Sequence, residues 1–101
     1  MTNQVVAQEI LRQMGGIRRI SLMTGAKDFV AGEDKVIFKI GKGAKNKINA
    51  IKIELNAMDL YDVTFMRVWG TNITTIKKVD SIYNDMLKST FENETGFYLS
   101  L

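Results

Sequence analysis

The chain has 101 residues, of which 46% are hydrophobic and 25% charged, and its formal net charge is +3. This length and composition predict one globular domain over residues 1–101, and no run of about 18 apolar residues would span a membrane. The chain has no cysteine and no histidine. This excludes disulfides, thiolate chemistry and the usual zinc ligands, and it removes the side chain best suited to proton transfer near neutral pH.

The N-terminal segment is predicted to be a helix over residues 3–14. Val6, Ile10 and Met14 recur every four residues, which places them on one helical face. Gly15 and Gly16 follow directly and would end the helix.

Four segments with alternating apolar residues are predicted to be strands. A further short strand over residues 73–76 is an additional option because its residues are largely β-branched. The four segments, in chain order, are "IRRISLMTGA", "VIFKI", "NAIKIEL" and "YDVTFMRVWG".

The periodicity changes to three and four residues from Asp80, which predicts a last helix over residues 80–95 that Gly96 ends. The element order is then α-β-β-β-β-α. Short links between consecutive strands favour an antiparallel sheet of four or five strands, with both helices on one face of a two-layer α+β domain. The residues expected to point into the core are Val6, Ile10, Phe38, Ile53, Val63, Phe65, Met86, Leu87 and Phe91.

The stretch "IGKGAKNKIN", residues 40–49, has three lysines and two glycines. A nucleotide-binding phosphate loop needs Ser or Thr after its lysine and a helix behind it, and this stretch has neither. Two interpretations remain. In one the stretch is a solvated hairpin loop whose glycines supply positive φ angles. In the other its lysines contact nucleic acid.

The two halves of the chain differ in charge. Residues 1–52 hold ten Lys and Arg against four Asp and Glu, net +6, whereas residues 53–101 hold four against seven, net −3. A basic patch in the first half would follow a phosphate backbone. No helix-turn-helix spacing is present, and the aromatic residues fall at expected core positions, so binding would have little sequence selectivity. The candidate contacts are Arg18, Arg19, Lys39, Lys42, Lys45, Lys47 and Lys52.

The strand assignments also predict an apolar patch on the face of the sheet that points away from the helices. Such a face is too apolar for a bare solvent surface, which predicts a protein partner or a homodimer. Trp69 is expected in the core, with a ligand platform as the alternative. The candidate interface residues are Met23, Ile37, Met66 and Val68.

No arrangement of carboxylates, lysine or tyrosine typical of a catalytic site is visible, so we expect a protein that is not an enzyme and needs no cofactor. Asp59 and Asp62 would be the pair to hold Mg²⁺. Two carboxylates near a turn are more often solvated, and no metal is expected. The first residues lack the pattern of a secretory signal, which favours a cytoplasmic location.

Three stretches together resemble a group of small proteins encoded by bacteriophages and integrated mobile elements. They are "MGGIRRISLMTGAKDF", "IELNAMDLYDVTF" and "VDSIYNDMLKSTFENETGFYLSL". The resemblance covers nearly the whole chain and implies an origin in a bacterial host cell, while no established activity comes with the group. The expected function is that of an accessory protein that binds protein, either a second copy or a host factor. The alternative is binding of a nucleic-acid backbone through the basic patch.

Overall fold

A computed structural model describes residues 3–99, and the side chains of residues 5–99. This part of the chain contains three α-helices and five strands in one antiparallel sheet of order β1-β2-β3-β4-β5, which confirms the predicted α+β class. None of the described helices is long and apolar enough to cross a membrane. The helices are α1 (Asn3–Gln13), α2 (Ile17–Thr24) and α3 (Leu87–Thr95), and the strands are β1 (Lys27–Gly32), β2 (Lys35–Lys39), β3 (Ala50–Leu55), β4 (Tyr61–Trp69) and β5 (Asn72–Ile82).

One hydrophobic core joins the helices to a single face of the sheet. The predicted core is confirmed except at Met86, whose exposure is 52%. Met86 ends a short 3₁₀ turn, Asn84–Met86, that precedes α3, so the helical spacing assumed from Asp80 does not apply to it. The correctly predicted core residues are Val6, Ile10, Phe38, Ile53, Val63, Phe65, Leu87 and Phe91.

The segment "IRRISLMTGA" was predicted to be the first strand, and this prediction is wrong because α2 occupies it. Ile20 and Thr24, four residues apart, are its buried residues, and the Thr24 hydroxyl donates a hydrogen bond to the Ile20 carbonyl over 2.6 Å. Leu22, which a strand would have placed beside Ile20, is exposed. The first strand is β1, a segment for which no strand was predicted.

The option of a fifth strand is confirmed, but the strand is longer than expected. β5 has eleven residues and extends to Ile82, so the last helix begins at Leu87 rather than near residue 80. Ile82 pairs with Tyr61 at one end of the β4–β5 ladder, and the ladder contains two register shifts. The Asp62 carboxylate accepts a hydrogen bond from the Ser81 amide over 2.9 Å, which holds the chain at one of these irregularities.

Candidate functional site

An open cleft of about 900 Å³ lies at one end of the sheet. It is formed by the loop over residues 40–49, the turn after α2, the start of β1, the end of β2 and the β4–β5 hairpin. Among the described residues its lining includes five basic residues and no acidic residue. The basic residues are Lys27, Lys39, Lys42, Lys47 and Arg67, and the others are Gly25, Ile40, Gly41, Gly43, Ala44, Ile48, Asn49, Val68, Trp69 and Gly70.

Both ends of the lysine-rich loop are anchored in the core. Ile40 and Ile48 are buried, and the Ile40 amide donates a hydrogen bond to the Asn49 carbonyl over 3.0 Å. The residues between these anchors are mostly exposed. The loop therefore has an exposed, polar tip and a buried, apolar base. This confirms that it connects two paired strands.

Asn49 fixes the loop against β4. Its side-chain amide donates to the Val68 carbonyl over 2.8 Å, and its side-chain oxygen accepts from the Val68 amide over 2.7 Å. The Asn49 amide also donates to the Met66 carbonyl over 2.9 Å. These bonds continue the β3–β4 ladder beyond the end of β3, so the loop and the hairpin keep a fixed separation across the cleft.

The wall between the loop and α2 requires glycine on both sides. The Gly41 amide donates to the Thr24 carbonyl over 2.8 Å. A Cβ atom at Gly25 would lie 3.2 Å from the Gly41 Cα, and one at Gly41 would lie 3.1 Å from the Thr24 carbonyl oxygen. Gly41 therefore favours close approach of two backbones, whereas Gly43, with φ 103°, has the positive φ expected of the loop glycines.

Lys47 has a backbone conformation that is unusual for a lysine. Its φ is 60°, and the preceding Asn46 has φ 57°. Asparagine tolerates the left-handed region, whereas other L residues are disfavoured there by roughly 1–2 kcal/mol. The buried Ile48 and the hydrogen-bonded Asn49 anchor this strained turn, and Lys47 is among the residues that line the cleft.

The cleft lysines are poorly neutralised. Within residues 5–99 neither Lys27, Lys42 nor Lys47 has a carboxylate ion-pair partner within 4.0 Å. The Lys39 ammonium lies 3.9 Å from an Asp28 carboxylate oxygen, and both side chains are more than half exposed. Exposed pairs of this kind are worth roughly 0–1 kcal/mol, so the cleft retains a concentration of positive charge that can attract an anion.

The far wall of the cleft carries an arginine and a tryptophan from β4. Alternate residues of β4 face the core, and burial decreases along this row from Phe65, which is fully buried, through half-buried Arg67 to Trp69, which is 71% exposed. The Arg67 guanidinium carbon lies 5.8 Å from the centroid of the Trp69 ring, a cation–π distance.

The prediction that Trp69 belongs to the core is wrong. It is the last residue of β4, next to a two-residue hairpin turn in which Gly70 has φ 60°. At this end of β4 the inward-facing row becomes exposed to solvent. The turn sequence "GTN" directly after Trp69 is the signal in the sequence that identifies Trp69 as exposed.

The structure brings together three of the seven predicted nucleic-acid contacts, Lys39, Lys42 and Lys47, in the cleft. The Lys45 ammonium instead donates to the Asn93 carbonyl over 3.2 Å, and Lys52 pairs with Glu54 over 3.2 Å. Arg18 and Arg19 lie on α2 and not on a strand.

Sequence reasoning missed Lys27, Arg67 and the exposed position of Trp69. Lys27 would have been found from the β1–β2 register, in which it pairs directly with Lys39.

The predicted apolar patch does not form as expected. Met23 lies on α2, away from the sheet strands, because its segment is helical. Met66 is buried, and Ile37 and Val68 are half-buried. Their role in binding a protein stays a prediction.

Of the two carboxylates considered for Mg²⁺, that of Asp62 has hydrogen-bond partners within the protein. The Asp62 carboxylate accepts from the Asn56 side chain over 3.1 Å as well as from the Ser81 amide. Asp59 lies at the turn before β4 with φ 60°. No group of three or more acidic side chains that would hold a metal ion is present among the described residues.

Comparison of the chain with protein-family models, with curated proteins and with solved structures finds no match. The resemblance to proteins of bacteriophages and mobile elements therefore stays a prediction. The basis for assigning a function is the chemistry of the cleft.

Proposed function

We propose that the protein binds nucleic acid by holding its phosphate backbone in the basic cleft. The observation that carries this proposal is that five basic residues, and no acidic residue among those described, line one open cleft. We place this activity in an accessory protein of a bacteriophage or mobile element that acts in the cytoplasm of the host cell, in agreement with the sequence resemblance.

The charge distribution favours an extended anion over a small one. The cations come from β1, β2, the loop and β4, and they surround an open cleft rather than one enclosed pocket. A phosphate backbone offers a row of charges to such a surface, and each contact gains free energy by releasing counterions.

Sequence selectivity should be low. Four of the five cations are lysines, which act as point charges, whereas Arg67 alone has the planar fork that reads a guanine edge. Arg67 also lies near the Trp69 ring. Binding should thus depend strongly on salt and weakly on base sequence.

Protein binding is the second candidate function, and the free edge of β5 favours it. Among the described residues β5 pairs with β4 alone, and its other edge leaves backbone groups of an eleven-residue strand unpaired. Ile73 near the start of this strand is 67% exposed. An edge of this length can pair with a strand of a second copy. Lys77 and Lys78, further along β5, oppose such pairing by charge repulsion.

Size-exclusion chromatography with light scattering, at about 0.1 M and 0.5 M salt, separates the two candidates. Nucleic-acid binding predicts a monomer that retains host nucleic acid at the lower concentration, seen as excess absorbance at the nucleic-acid maximum, and releases it at the higher one. A dimer that persists at both concentrations without nucleic acid would contradict this proposal and support pairing through β5.

A further inference from the structure

We infer that the cleft is specific for single-stranded nucleic acid and that Trp69 stacks on one of its bases. This inference rests on the proposed function and adds a strand preference to it. Proteins that bind single strands combine a positively charged groove with an aromatic face on which a base lies. The cleft has both features in adjacent positions.

The first observation that supports the inference is the position of Trp69. A tryptophan side chain is usually well buried, yet this one is 71% exposed at the mouth of the cleft. Trp69 is the last residue of β4, beside the hairpin turn, and its exposure presents a large aromatic surface in the same cleft as the lysines.

The Arg67 guanidinium lies over the Trp69 ring, 5.8 Å from its centroid, and so covers one of its two faces. Because Trp69 is 71% exposed, the opposite face is open to a base. A base that stacks on Trp69 would bring its own phosphates among the cleft lysines, of which Lys42 and Lys47 lack ion-pair partners within residues 5–99.

Strand selectivity follows from access to the base. In a duplex each base is stacked between its neighbours, so its face cannot meet the indole ring. A single strand can turn a base outward at low cost. A duplex would gain from the lysines alone and would bind more weakly.

The test uses the parent protein, Trp69→Ala and Trp69→Phe with three probes: single-stranded oligothymidylate, a hairpin duplex, and inorganic polyphosphate. Trp69 is the one tryptophan of the chain, so its fluorescence reports stacking directly. We expect oligothymidylate to quench it and polyphosphate to leave it nearly unchanged. Trp69→Ala should lower affinity for oligothymidylate by roughly 5- to 150-fold, while Trp69→Phe should keep most of it.

Ile73→Ala is the matched control, because Ile73 is an exposed apolar residue of the same hairpin, and it should bind oligothymidylate like the parent. Equal losses for oligothymidylate and polyphosphate in Trp69→Ala would overturn stacking while leaving the anion site intact. Duplex bound as tightly as single strand would overturn strand selectivity. If the parent binds none of the three probes, the proposed function fails, and this inference fails with it.

Discussion

Replacing Ile53 by Asp should lower the free energy of unfolding by about 4 kcal/mol or more, because a carboxylate would be buried without a partner. Ile53 is 1% exposed in the middle of β3, in register with Val36 on one side and Val63 on the other. Native domains of this size are stable by roughly 5–15 kcal/mol. The variant should therefore lose a large part of this stability and unfold at a clearly lower urea concentration and temperature than the parent, as measured by circular dichroism.

Ile73→Asp is the control for this change. It introduces the same carboxylate on an exposed strand position, and we expect a change within about 0.5 kcal/mol, as is usual for surface substitutions. If Ile53→Asp melted like the parent, the assignment of alternate β3 residues to the core would be incorrect.

Replacing Lys39, Lys42 and Lys47 together by Gln should lower affinity for single-stranded nucleic acid by roughly 50-fold at about 0.15 M salt. Each lost phosphate contact reduces the slope of log affinity against log salt by about 0.7 for a single strand. Unrelated base sequences should lose affinity equally, because these lysines contact phosphates and not bases. Fluorescence anisotropy of labelled oligonucleotides over a salt series measures both quantities.

A second triple variant is the control, because it changes the net charge by the same amount at positions outside the cleft. Lys35, Lys78 and Lys88 do not line it, and their replacement by Gln should alter affinity by only a few-fold through long-range electrostatics. Equal losses in the two variants would show that net charge, and not the cleft, attracts the nucleic acid. The cleft variant should stay folded, since Lys39, Lys42 and Lys47 are all exposed, and thermal denaturation of both variants checks that each keeps its fold.

The fold could be predicted well where one periodicity dominates. A helix is the one regular structure that fits the spacing of Val6, Ile10 and Met14. A strand is the one that fits the alternation of Ile51, Ile53 and Leu55. Prediction failed over residues 17–24, where both spacings fit. Tertiary contacts decided between them by burying Ile20 and Thr24 and leaving Leu22 in solvent.

The sequence predicted only those site residues that lie close to one another along the chain. Lys42 and Lys47 lie in one loop, and Lys39 directly precedes it, so their proximity is visible in the sequence. Lys27 and Arg67 join them through strand register, which cannot be read from either segment alone. Trp69 was assigned to the core because it does alternate with Phe65 along the strand. The point at which burial along β4 ends is set by the assembled fold and cannot be read from the sequence of the strand.

The central claim is that the cleft contacts nucleic acid, and amide chemical-shift mapping of the protein by NMR during titration with oligothymidylate tests it most directly. We predict the largest shifts at Gly41, Gly43 and Lys47 and at the indole N–H of Trp69, with smaller shifts on α2. Shifts confined to Arg18 and Arg19, or to the free edge of β5, with the cleft resonances unchanged, would contradict the claim.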